Sequence, residues 1–182
     1  MIKIKIAFLV FILGFMARDI YADNKVDSLR SLLDSDIEDT TRFQVMEKLS
    51  RILQNEDLDQ SLKYAEEALK FADANNIRPE IEYLDFVIYL NDISGRYEQS
   101  VEYLAKKIKL LYPPKNKLDK VKILKSEGYL KYREGKFSKA LELFEEAFTI
   151  AEREDFQEER NLLYFDFARV YQMVDDLEKE RE

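Results

Sequence analysis

The stretch Gly135-Lys136-Phe137-Ser138-Lys139-Ala140-Leu141-Glu142-Leu143-Phe144-Glu145-Glu146-Ala147 decides the fold, because the chain contains it more than once. Gly95-Arg96-Tyr97-Glu98-Gln99-Ser100-Val101-Glu102-Tyr103-Leu104 is an earlier version, and Glu56-Asp57-Leu58-Asp59-Gln60-Ser61-Leu62-Lys63-Tyr64-Ala65-Glu66-Glu67-Ala68 a looser one. A fourth begins at Asp175-Asp176-Leu177. The apolar residue after each turn falls at Leu58, Tyr97, Phe137 and Leu177, in steps of 39, 40 and 40. Three places later stands a small residue, Ser61, Ser100 or Ala140, and in the last copy Glu180. A fixed period of this length marks a repeat architecture.

A second apolar helix precedes each turn. Tyr164, Phe167, Ala168 and Tyr171 share one helical face, by steps of three and four. The equivalent residues are Val45, Leu49 and Ile52 in the first copy, Leu84, Val87 and Ile88 in the second, and Leu124 and Gly128 in the third. Each unit therefore reads as helix A, a tight turn, helix B and a linker. Composition agrees: 46% of residues are apolar, but four Gly and three Pro are too few turn-formers for many short strands. Asp57 and Asp176 stand where an N-cap of helix B is expected, and Thr40 or Thr41 where the first helix A is capped. Pro113-Pro114 close the second unit and Pro79 precedes its first helix.

This pattern resembles the tetratricopeptide (TPR) family. The third unit supplies Leu124, Gly128, Gly135, Phe137, Ala140, Phe144 and Ala147, and the fourth Tyr164, Phe167, Ala168 and Tyr171. Glu127, Lys131, Lys48 and Asn91 depart from it at usually apolar places, and Lys107 at a usually small one. The resemblance implies an all-α fold, a right-handed TPR-like α-α superhelix of antiparallel helix pairs. The units are 42–80, 81–120, 121–160 and an incomplete 161–182, preceded by a short helix and linker over 23–41. The layout is also similar to the TPR region of exported or membrane-tethered bacterial regulators. That gives an alternative reading: an interaction segment of a signalling regulator whose kinase, cyclase or transcription-factor output domain lies outside this chain.

The N-terminus reads as an address. Lys3 and Lys5 precede the apolar run Ile6 to Ala17, and Ile20-Tyr21-Ala22 offers a cleavage site. Residues 1–22 are thus expected to be a secretory signal peptide, placing the protein in the periplasm or outside the cell. The alternative is an inner-membrane anchor made by residues 6–17, although such a helix is roughly 18 Å long against a hydrocarbon core of ~30 Å.

The side-chain inventory narrows the chemistry. With no Cys and no His, thiolate nucleophiles, imidazole bases, Ser-His-Asp triads and Cys/His zinc sites are excluded. A net charge of −8 disfavours nucleic acid. Glu66-Glu67, Glu145-Glu146 and Glu158-Glu159-Arg160 read as solvated helix faces, and most of the 11 Tyr and 12 Phe as core. No metal or cofactor is expected, and no enzyme. The expected function is non-catalytic protein binding. In a TPR superhelix the concave groove is lined by helix A, which here implies Asp85, Tyr89, Lys125, Tyr129, Tyr132, Arg133, Phe165, Arg169 and Gln172. Lys125, Arg133 and Arg169 would favour a peptide with an acidic element. The incomplete last unit offers a surface for self-association.

Overall fold

The computed structural model describes residues 24–179. The expected signal segment lies outside the described residues. Among these there is no strand, and no helix is long and apolar enough to cross a membrane. A helix over 24–33 (α1) is followed by α2 (Asp39–Leu53), α3 (Leu58–Ala74), α4 (Ile81–Ile93), α5 (Tyr97–Leu111), α6 (Lys117–Arg133), α7 (Phe137–Arg153) and α8 (Gln157–Lys179). The repeat spacing is visible directly. Leu58, Tyr97 and Phe137 are the first residues of α3, α5 and α7. The described residues form an all-α array of helices, and the chain divides into two compact units at Gly95.

In the first unit α2 and α3 form a hairpin and α4 packs on α3. Its core holds Leu49, Ala65, Ala68, Leu69, Ala72, Leu84, Val87 and Leu90, all buried. Tyr83 is fully buried as well, edge-on to Phe43 at 5.7 Å, with its hydroxyl 3.3 Å from Ser50 Oγ. Val26 on α1 joins Val45, Leu49 and Leu53. Arg42 fixes the end of α1: its guanidinium donates to the carbonyl oxygen of Leu33 (2.6 Å), which the helix leaves unsatisfied, and to that of Ser35 (3.0 Å) just beyond it.

The caps correct part of the sequence reading. Asp57 does cap α3: its carboxylate accepts from the Gln60 backbone N–H at 2.9 Å, and that bond holds it below the ordinary aspartate range. Thr40 and Thr41 do not cap α2, because the helix starts at Asp39 and Glu38 occupies the N-cap position. Asn116, unnoticed in the sequence, caps α6 through the Asp119 N–H at 2.8 Å.

In the second unit α6 and α7 form a hairpin, α5 packs on α6, and α8 packs on α7 and more narrowly on α6. Val121, Leu124, Ala140, Phe144, Ala147, Ala151, Leu163 and Val170 are buried there. The α6–α7 turn depends on Gly135, which takes φ +72° while the Lys136 N–H reaches back to the Lys131 carbonyl at 2.9 Å. That left-handed termination is easiest for glycine. No second turn forms forty residues later. α8 runs unbroken through Asp175, Asp176 and Leu177, so residue 176 is no N-cap. Asp175 stands where Gly135 stood, and the helix-formers Met173, Leu177, Glu178 and Lys179 carry the helix on. In consequence Tyr164, Ala168 and Tyr171, expected as core, are exposed.

Candidate functional site

The nine expected groove residues fall on three helices. Asp85 and Tyr89 are exposed on α4, in the first unit. The other seven belong to the second unit, where α6 carries Lys125, Tyr129, Tyr132 and Arg133, and α8 carries Phe165, Arg169 and Gln172.

These seven divide by burial. Tyr129 and Tyr132 are nearly buried, one helical turn apart, with rings stacked at 5.7 Å and Tyr132 6.0 Å from Phe137. Arg133 is half-buried, its guanidinium carbon 3.6 Å from the ring centroid of Tyr97. That position is favourable for a cation facing the negative face of the ring. Arg169 brings α8 to α6: it lies 4.9 Å from the Tyr129 ring centroid and 3.5 Å from Asp166. Phe165, 70% exposed, and Gln172 share the outer side of α8 with it.

Lys125 is not the solvent-facing cation expected of a groove. Its Nζ donates to Glu159 at 2.6 Å, and the two side chains are only 14% and 10% exposed. Glu159, read in the sequence as part of a solvated face, is therefore an interior partner holding α8 to α6. Asp166 completes the cluster. Burial pushes its carboxyl up to about 6, against the opposing pull of Lys125, Arg169 and Lys107, while Glu159 adds to the rise. Lys107, at the place where the family pattern has a small residue, is itself buried. The sequence does contain a signal for the two acids. Glu159 and Asp166 fall on the stripe 159, 163, 166, 170, where Leu163 and Val170 are fully buried.

The arrangement offers a mixed aromatic and cationic surface. No group of His, Cys, Asp and Glu that could hold a metal ion occurs among the described residues. What the fold defines is a helical repeat of TPR type. Solved structures of that kind superimpose on it. The TPR-like repeats of a kinesin-light-chain-type protein from Podosopora anserina match at TM-score 0.59 and 15% identity, over 90% of this chain and 84% of that one. BtubC (BKLC) from P. vanneervenii matches at TM-score 0.56 and 18% identity, over 87% of this chain and 66% of that one. At such identities the likeness concerns the fold alone. No family model and no curated protein sequence matches the chain.

Proposed function

We propose that the chain is a non-catalytic protein-binding scaffold, acting outside the cytoplasm, that takes a peptide or protein segment on the α6–α8 face of its second unit. The observation that carries this is the exposed Phe165 beside Arg169, whose guanidinium stands over Tyr129. Such a face presents an apolar anchor next to a cation with one side open to water. An extended or helical segment with an aromatic or aliphatic residue and a neighbouring carboxylate fits it. Arg133 adds positive charge on α6, whereas Lys125 is committed to Glu159. The Lys3-to-Ala22 pattern supports export. The lack of His and Cys supports a role without catalysis.

Proximity labelling in the native cell tests the reading. Proteins recovered with the wild-type chain are expected to drop out with a Phe165→Ser/Arg169→Glu variant that keeps its helical content. Recovery of the same proteins in the same amounts by both would overturn it.

A further inference from the structure

Five charged side chains of the second unit act on one another around Asp166. Glu159 and Arg169 come from its own helix, Lys125 from α6 and Lys107 from α5. α7 meets the same helix through the rings of Phe144 and Phe148, which lie against Phe167 and Tyr164. Lys125 and Glu159 are committed to each other at 2.6 Å, and Lys107 is buried. Arg169 is different. Its side chain is 44% exposed, and the carboxylate beside it is that of Asp166, 16% exposed and 3.5 Å away. That distance is long for a charge-assisted bond, which favours about 2.7–2.9 Å, so the pair is loose. Arg169 is thus the member through which an interior cluster reaches the solvent.

We propose that Asp166 gates recognition at the Phe165–Arg169 surface: as a carboxylate it neutralises Arg169, and as a neutral acid it leaves that cation to a partner's carboxylate. The inference rests on the recognition surface proposed above and adds its regulation by pH. The two states of Asp166 differ by a full charge at the foot of the guanidinium. Ionised, Asp166 both draws Arg169 inward and repels an incoming carboxylate. Neutral, it leaves Arg169 over the Tyr129 ring, 4.9 Å from the centroid, facing the partner with its charge undivided. Because the ring also holds the cation, Arg169 does not need a charged Asp166 to stay in position. The window is a mild one: burial, opposed by Lys125, Arg169 and Lys107 and aided by Glu159, pushes the Asp166 carboxyl up to about 6. A chain without His holds no side-chain type whose ordinary pKa falls between about 5 and 8, so a change across this range points to Asp166. Acidic segments are therefore held below about pH 6 and released above it.

The Arg169 side chain reads the gate with no partner present. In NMR spectra of the full chain its Nε–H resonance, assigned by its loss in Arg169→Lys, is expected to shift with a midpoint near pH 6. In Asp166→Asn it is expected to stay flat. Binding is then measured with the blocked dipeptide acetyl-Phe-Glu-amide, an aromatic ring beside one carboxylate. Wild type is expected to bind it about fivefold more tightly at pH 5 than at pH 7.5. Asp166→Asn is expected to bind it nearly equally at both, about as tightly as wild type does at pH 5. The probe's own carboxylate loses a little charge at pH 5, which works against the expected direction. An Arg169 resonance that does not move between these pH values would overturn the proposal, whatever the partner. So would wild-type binding of equal strength at both, or Asp166→Asn binding that keeps the wild-type pH dependence. A probe that binds at neither pH while Arg169 titrates would instead sink the recognition surface, and the gate with it.

Discussion

The ring of Phe144 on α7 fills the space that a side chain at position 128 of α6 would need. A Cβ on Gly128 would come within 2.7 Å of Phe144 Cδ1 and closer still to Cε1, and Phe144 is 1% exposed. The contact is what lets the α6–α7 hairpin close. In open helix, Gly→Ala gains about 1 kcal/mol; here the overpacking penalty, about 1–3 kcal/mol, opposes that gain. Gly128→Ala is expected to lower stability in urea unfolding, and adding Phe144→Leu should recover part of the loss.

Asp166 makes stability depend on pH. Its carboxyl is pushed up to about 6 from an ordinary 3.8, chiefly by burial, so between these values the folded chain holds a proton that the unfolded chain has released. The contribution from this group is fully present below 3.8 and is lost as pH rises through about 6. A difference of about two pH units corresponds to roughly 3 kcal/mol. Wild-type stability attributable to this group is expected to be lower at pH 7.5 than at pH 5. The Asp166→Asn variant should lack that component and be more stable than wild type at pH 7.5. Urea midpoints at the two pH values measure both.

Much of this architecture was legible from spacing. Leu58, Tyr97 and Phe137 open their helices as the repeat implied, Asp57 caps α3, and Gly128 and Gly135 hold positions where only a small or left-handed residue fits. Periodicity fixes which residues share a face, but not what covers that face. Tyr164 and Tyr171 have a core-like pattern and yet stand open, because α8 continues where a turn was expected. Lys125 has the position of a groove cation and yet is interior, because its partner lies 34 residues away on another helix. A pairing at that distance leaves no local trace.

Gly135 supplies a second test of the turns. With φ at +72° and open space around it, Gly135→Ala meets no clash and should lose only the left-handed penalty, about 1–2 kcal/mol. Asn76, at φ 56°, ends α3 with a bond from the Ile77 N–H to the Ala72 carbonyl at 2.8 Å, the same device built on a costlier residue. Asn76→Gly is expected to raise stability by a few tenths of a kcal/mol. Opposite shifts in thermal midpoint for the two variants would confirm that backbone conformation, not packing, governs both sites.

Lys125 and Glu159 decide whether the α6–α8 contact is structural or available to a partner. Each is nearly buried, and the pair is 2.6 Å apart. Removing one member strands a buried charge, a loss of about 3–5 kcal/mol, whereas replacing both by apolar residues of similar size is close to neutral. Lys125→Met and Glu159→Leu are each expected to destabilise strongly in urea unfolding, and the double variant to return most of the way to wild type. The coupling read from that cycle belongs to the fold. Provided the double variant is folded, it should recover the same proteins in proximity labelling as the wild type, because Phe165 and Arg169 still present the proposed recognition surface. Single variants that leave stability unchanged would return Lys125 to the list of groove cations and move the centre of recognition from α8 to α6.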